Sequence, residues 1–417
     1  MQARTLRQWQ DELDGFLREL VADLPRSDQR GWAETYVRGL LLDGQRKSIQ
    51  PMAERLAAID QSWRDYEQSL QQFVNQSPWP AEKLRDRLQQ WLAKRHPSGS
   101  SAQPHYLVID DTGFPKQGAH SVGVARQYSG TLGKVANCQI AVTLQQVAHE
   151  SVWGVDAELY LPKVWTDDPN RMAQTGVPEE IGYRPKWQMA LQMLDRAQHN
   201  GLGGIVLADS LYGSVHAFRK QLAQQGWSYC VGIDSTLKMI DANEDLGCVP
   251  QSKGSGRPPS RPKRVQSKKP GSSVKQWAMD HAEDFRGVSW REGTKGKLSS
   301  YFAAWRVRPA HKLTAGQHPQ SPCWLIAEWP EDQEKPTKFF FSNLPTSYSL
   351  KRLVQVAKGR WWIELSYREL KDELGLDHFE GRSWRGWHHH VILVLLAYAF
   401  LVACREDRRK KGIEPTI

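Results

Sequence analysis

Residues 106–118 read YLVIDDTGFPKQG, an apolar, β-branched run that meets two adjacent carboxylates, Asp110 and Asp111, and then Thr-Gly. The run predicts a strand, and the Thr-Gly that follows predicts a turn at its end. In α/β sheets the ends of strands are where charged ligand groups are presented. Alternation along a strand sends only one of two neighbouring acids toward a site. We assign that position to Asp110 and leave Asp111 to hold the turn with Thr112. The same design recurs in GGIVLADSLYG (203–213), where Asp209 follows another short apolar run. A third carboxylate, Glu364, sits in KGRWWIELSYRELKDELGL (358–376), whose spacing predicts a helix. A single Asp after a strand is more often a turn or N-cap residue. The inference rests on the set, three acids from two strand ends and one helix.

Hard oxygen ligands of this kind suit Mg²⁺ or Mn²⁺ rather than zinc, and suit phosphoryl transfer. A phosphodiester is shielded by its own negative oxygens. Two divalent ions about 4 Å apart can activate a water or 3′-hydroxyl and compensate the leaving oxygen. On a regular helix Arg360, Glu364 and Lys371, four and then seven residues apart, share one face, so the two cations are expected to grip phosphates beside the acid. The HHH at 388–390 spreads its rings around a helix and is read as polar contacts rather than a metal site.

Composition agrees with a polyanionic partner. The chain has 417 residues, a net charge of +10 and 40% hydrophobic residues, enough for two or three domains with a real core. Its five cysteines show no CxxC spacing, so neither a zinc site nor a disulfide framework is expected. The opening MQARTLRQWQDELDGF is amphipathic and charged, unlike a secretory leader, which leads us to expect a cytoplasmic, nucleoid-associated protein. The longest apolar run, VILVLLAYAFLVAC (391–404), is about four residues short of a membrane span and reads as a core helix.

Outward from the opening stretch, 1–95 reads as a separate all-helical DNA-binding domain, with apolar residues at helical spacing in Trp9, Leu13, Phe16 and Leu20. Around a turn in 38–56 it gathers Arg38, Arg46, Lys47 and Arg55, of which Arg46 and Lys47 are the DNA-contact candidates. A solvated helix surface is the competing reading. Residues 96–105 form a Pro/Ser/Gly linker, and 106–234 run β-β-β-α-β-α-β, the order of a ribonuclease H-like mixed sheet flanked by helices. A β-rich insertion is expected over 235–345, and 346–417 return to helix with Glu364. Within the insertion, 251–275 carries eight Lys or Arg and no acid among Pro, Gly and Ser, and reads as a flexible basic loop. Its Lys263, Arg264, Lys268 and Lys269 are expected on phosphates. The alternative is a tether that only keeps the protein soluble.

The motifs DDTGFPKQG (110–118) and GVARQYSGTLGKVANCQ (123–139) resemble those of the DDE superfamily of insertion-sequence transposases. The resemblance extends through RGLLLDGQRKSIQPMA (38–53), LYLPKVWTDDPNR (159–171), LADSLYG (207–213) and WREGTKGKLSSYFAAWRVRP (290–309). It implies an acidic triad at Asp110, Asp209 and Glu364 holding two Mg²⁺ or Mn²⁺ ions. It also implies binding to terminal inverted repeats in double-stranded DNA, cleavage at the element's ends and joining of 3′-hydroxyls to target DNA, by a homodimer. A related branch has a Tyr, Arg, Glu, Lys signature around its third acid. Arg360, Glu364 and Lys371 match its spacing, but Ala357 stands at the tyrosine position. Relatives that form DNA hairpins stack a flipped base on tryptophan, a role open to Trp290, Trp305, Trp324 or Trp329 beside ordinary packing. Two other readings stay open: a structure-specific nuclease without strand transfer, and a silent domesticated DNA-binding protein.

Overall fold

The computed structural model describes residues 3–60, 64–97, 104–130, 132–243, 271–293, 296–310 and 321–412. Lys263, Arg264, Lys268 and Lys269 lie outside them. The chain divides into two units, one of residues 1–204 and 361–417 and the other of 205–360.

The first unit begins with five helices: α1 (Ala3–Leu20), α2 (Ser27–Leu41), α3 (Ile49–Asp60), α4 (Tyr66–Asn75) and α5 (Ala81–Arg95). Strands β1 (Tyr106–Pro115), β2 (Ala125–Ser129), β3 (Lys134–Ala148) and β4 (Ser151–Leu159) follow. All four pair antiparallel around β3, with β1 along one edge and β2 and β4 in succession along the other. The β3–β4 turn places His149 (φ 48°) and Glu150 (φ 63°) in the left-handed region, the mirror-image geometry that matches strand twist. Helices α6 (Lys163–Thr166), α7 (Pro169–Gln174) and α8 (Lys186–His199) complete this part.

The turn expected after Asp110 is absent. Strand β1 runs on to Pro115, with Asp110 opposite Thr143, Asp111 opposite Val142 and pairing kept through Phe114↔Gln139 and Pro115↔Cys138. Long-range pairing with the 15-residue β3 overrides the local Thr-Gly signal, and Phe114 is 1% exposed as a core residue.

The second unit opens with β5 (Ile205–Ala208), α9 (Ser210–Gly213), α10 (His216–Gln224) and β6 (Tyr229–Ile233), a crossover that sets β5 and β6 parallel. Strands β7 (Lys238–Asp241) and β8 (Ser272–Ser273), helix α11 (Val274–Asp280), and strands β9 (Arg286–Gly293), β10 (Gly296–Pro309), β11 (Cys323–Trp329) and β12 (Lys338–Ser342) come next. The order from β6 is β6-β12-β11-β10-β7-β8, all antiparallel, with β9 also on β10. The strands expected in an insertion therefore extend the β6 sheet, because Phe341 and Phe339 of β12 pair with Val231 and Ile233 and join one core with Leu325, Val307 and Met239. Gly271–Lys275, read as the end of the basic loop, is ordered structure. Ser273 pairs with β7 and its Oγ accepts from Gln276 N (3.1 Å) to cap α11, whose Val274 is buried. Helix α12 (Leu350–Ala357) is the last helix of the unit.

The stretch expected as one helix over 358–376 has three windings. A 3₁₀ turn at Gly359–Trp361 leads into α13 (Trp362–Arg368), and a π turn over Glu369–Glu373 follows. The last helix, α14 (Trp384–Lys410), is 27 residues long and 89% of its most apolar window is buried. It is long and apolar enough to cross a membrane, which the 14-residue apolar run alone was not. Helices α2, α4 and α5 and strand β4 pack on it. Phe16 lies against Phe400 (5.5 Å between ring centres), Trp79 stacks on His389 (3.5 Å), and Arg95 Nε donates to Glu406 (2.7 Å). The N-terminal helices thus share a core with α14 and the β1–β4 strands.

Candidate active site

Strand β1 carries Asp110, half-buried, near its middle. Thr143, opposite it on β3, donates from Oγ1 to the Asp110 carbonyl (3.2 Å) and also bonds the Tyr367 hydroxyl of α13. Next to Tyr367, Ser366 Oγ donates to Gln145 Oε1, two residues along the same face of β3. One turn before Tyr367 on α13 stands Glu364, exposed and without a hydrogen bond or ion pair among the described residues. Beyond α13, Lys371 donates from Nζ to the Gly113 carbonyl of β1 (3.0 Å) and lies 5.5 Å from the Phe114 ring centre. The segment carrying Glu364 is therefore pinned to the strands carrying Asp110 at three places. Burial pushes the Lys371 ammonium below its ordinary pKa, partly offset by Asp377 and Asp372.

Asp111 has a different task from the one read in sequence. It holds no turn; its Oδ2 pairs with Lys186 Nζ at the start of α8, and that ammonium sits 5.2 Å from the Tyr160 ring centre. The expected common face of Arg360, Glu364 and Lys371 presumed a uniform helix. Here Arg360 is in the 3₁₀ turn and Lys371 in the π turn, whose residues advance around the axis by different angles.

In the second unit Asp209 follows β5 and caps α9, its Oδ1 accepting from Leu211 N (3.0 Å). Two glycines make the close seating of this turn possible. A Cβ on Gly213 would stand 2.0 Å from the Gly232 carbonyl of β6, and one on Gly232 would stand 3.1 Å from Ser210 N.

The basic candidates near the N-terminus are engaged within the fold. Lys47 is 4% exposed and its Nζ donates to the Leu40 (2.9 Å) and Leu42 carbonyls at the end of α2, so it is a C-terminal cap rather than a DNA-facing cation. Arg46 is exposed and paired with Glu380 (3.1 Å), Arg38 pairs with Asp14, and Arg55 donates to the Arg46 carbonyl (2.7 Å). The three histidines at 388–390 make the expected polar contacts, His388 to Trp384 O, His389 to Val74 O and Trp79 O, and His390 to the Tyr36 hydroxyl and Gly375 O. Among the tryptophans, Trp305, Trp324 and Trp329 spend their indole N–H on Asp284, Leu344 and Gln333. Trp290 lies edge-on to Phe302, with Lys358 Nζ 4.7 Å from its ring centre. Thr143, Gln145, Lys186 and Tyr367 were not singled out in the sequence. Tyr367, three residues after Glu364, is the one whose spacing gave a signal.

No group of three or more His, Cys, Asp or Glu is gathered as a ready metal cluster among the described residues. The three candidate acids are each carboxylates, oxygen donors of the type a hard divalent cation takes.

A family model described as DDE superfamily endonuclease matches residues 19–297, a stretch that holds Asp110 and Asp209 and ends before Glu364. Over 200 residues the chain is 33% identical to the probable transposase for insertion sequence element IS701 of Microchaete diplosiphon, covering 47% of this chain and 47% of that protein. The match thus spans about half the length of that curated relative. Among solved structures, a cryo-EM structure of the piggyBac transposase synaptic complex with hairpin DNA aligns over 94% of this chain and 68% of that one, at 9% identity and a TM-score of 0.42.

Proposed function

Since the chain belongs to the DDE superfamily endonucleases, we propose that it is the transposase of an insertion sequence, binding the element's terminal inverted repeats, cleaving at its ends and joining the 3′-hydroxyls to target DNA. The observation that carries this reading is the link from Asp110 through Thr143 to Tyr367, one turn from Glu364, which ties two acids of the triad to one framework. Asp110, Asp209 and Glu364 would hold Mg²⁺ or Mn²⁺, two ions per site. Bound there, the ions would activate the attacking water or 3′-hydroxyl and compensate charge on the leaving oxygen.

The protein's own groups orient and neutralise. Thr143 and Tyr367 fix the strand and helix that bear the two acids, and Lys371 anchors the π turn to β1. Lys186 holds Asp111 away from the role of Asp110. Arg360, with Lys263, Arg264, Lys268 and Lys269, would contact phosphates. Because two element ends must be processed together, the working form is a homodimer on double-stranded DNA.

The test is a cleavage and strand-transfer assay on labelled DNA carrying the sequences that flank the gene, with Mg²⁺, with EDTA, and with Glu364→Ala. Metal-dependent cutting and joining, lost in the variant, is the expected result. Cutting without joining would favour a structure-specific nuclease. Binding without cutting would mark a silent DNA-binding protein. In the same assay Asp209→Asn is expected to bind DNA as the wild type does and to leave no measurable cleavage; cleavage by the pure variant would remove Asp209 from the triad.

A further inference from the structure

The motif GVARQYSGTLGKVANCQ (123–139) forms the β2–β3 hairpin, and its residues divide into two sets. One set builds the fold. Gln139 Nε2 donates to Val122 O (2.6 Å), Asn137 Nδ2 to Lys116 O (2.7 Å) and Gly118 O (2.9 Å), and Gln127 Nε2 to Cys138 O (2.9 Å). Ser129 is fully buried, with Leu132 N donating to its carbonyl (3.2 Å). Gly123 (φ 74°) and Gly133 (φ 62°) take the left-handed conformations that the chain needs there. The other set does nothing for the fold. Tyr128 is 60% exposed, Val135, its cross-strand partner, 54%, and Leu132 at the turn 40%. Arg126, on the same face of β2 as Tyr128, and Lys134 beside the turn are exposed, and neither makes a hydrogen bond or ion pair among the described residues.

Charge selects the partner. From Thr112 to His149 the sequence has no Asp or Glu, so the hairpin presents the cations Arg126 and Lys134 and an aromatic ring with no acid of its own. A surface that joins copies of a chain through apolar contact has no need of an acid-free hairpin, whereas phosphate favours one. A two-stranded ribbon is also narrow enough to enter the major groove of duplex DNA.

We propose that the β2–β3 hairpin is a DNA-contacting arm, in which Arg126 and Lys134 engage phosphates while Tyr128, Leu132 and Val135 press against sugars and base edges. This rests on the DNA-transposing function proposed above. The hairpin carries none of the three acids, so its loss is expected to weaken binding without removing the chemistry.

Affinity for the element-end duplex is to be measured by fluorescence anisotropy across a salt series, on full-length wild type, Arg126→Ala/Lys134→Ala, Tyr128→Ala and Tyr128→Phe. Melting temperature and circular dichroism serve as folding controls. The expected result is a slope of log affinity against log salt that is shallower by about two in the double variant, with binding about ten-fold weaker or more. Tyr128→Ala is expected to lose several-fold in affinity and Tyr128→Phe to keep it. Photocrosslinking of wild type to 5-iodouracil duplex is expected to recover the peptide containing Tyr128. Wild-type binding with an unchanged slope in the double variant and no such crosslink would overturn the arm and leave the proposed function standing. No binding by wild type would overturn both. A variant that becomes monomeric in sedimentation while its affinity per site holds would assign the surface to a second copy of the chain and overturn the proposal.

Discussion

At the scale of single residues, the hydroxyl of Tyr367 has the sharpest consequence. It bonds Thr143, whose own hydroxyl reaches the Asp110 carbonyl. One hydrogen bond is worth about 0.5–1.5 kcal/mol. Tyr367→Phe is therefore expected to slow cleavage by up to about ten-fold and to raise the Mg²⁺ concentration needed for half-maximal rate, with DNA affinity unchanged. A Mg²⁺ titration of single-turnover cleavage checks this, and an unchanged midpoint would reduce Tyr367 to packing. Asp111 and Lys186 form a pair with side-chain exposures of 19% and 27%. Removing one partner by Lys186→Met leaves a partly desolvated carboxylate beside Asp110, at a cost of about 1–3 kcal/mol that denaturant unfolding can read. Asp110 and Asp209 are candidates that a window of sequence can raise, since charge after an apolar run is a local signal, and Glu364 is one raised by its place in a helical stretch. The partnership of Asp111 with Lys186 was not legible there, because 75 residues separate them.

At the scale of elements, the seat of α9 on β6 depends on the absence of two side chains. Gly213→Ala would place a methyl 2.0 Å from the Gly232 carbonyl, a backbone atom that has no rotamer to move. The expected loss is about 1–3 kcal/mol of stability from overpacking, together with reduced cleavage as the turn bearing Asp209 shifts. Urea melts and the cleavage assay measure the two effects. A variant that keeps full stability would show the contact to be slack. The helix over 358–376 illustrates a limit of periodicity. Apolar spacing located it, yet the change from 3₁₀ to α to π winding follows from what its ends must meet, Lys371 on Gly113 O and Leu370 and Leu374 in the core. Strand β1 shows the same limit, since its length was set by β3 rather than by its own Thr-Gly.

At the scale of the whole molecule, buried neutral histidines make stability depend on pH. Burial holds His96 at about 4, against the opposing pull of Glu406 at 3.6 Å and with Arg95, His149 and His105 adding to the depression. Burial likewise holds His390 at about 4, where its neutral ring can donate from Nε2 to Gly375 O and accept the Tyr36 hydroxyl at Nδ1. Both folded values lie below the ordinary 6.5. The unfolded chain therefore binds more protons between those limits, and the stability present above about 6.5 is lost as pH falls toward 4. Melting temperatures are expected to drop steadily across that window, and His390→Gln is expected to flatten the profile. A melting temperature that is flat from pH 6.5 to 4.5 would contradict this.

What the sequence determined by itself is whatever chemistry and period write locally: three candidate carboxylates after two apolar runs and in one helical stretch, an alternation of strands and helices, a basic chain, and motifs long enough to identify the family. The tertiary structure decided which surfaces are covered. It turned Lys47 into a buried cap, carried β1 past its expected turn, packed the N-terminal helices on α14, and left the outer half of the 123–139 motif exposed. Burial is settled by residues tens or hundreds of positions away in the chain, and no window of sequence contains them.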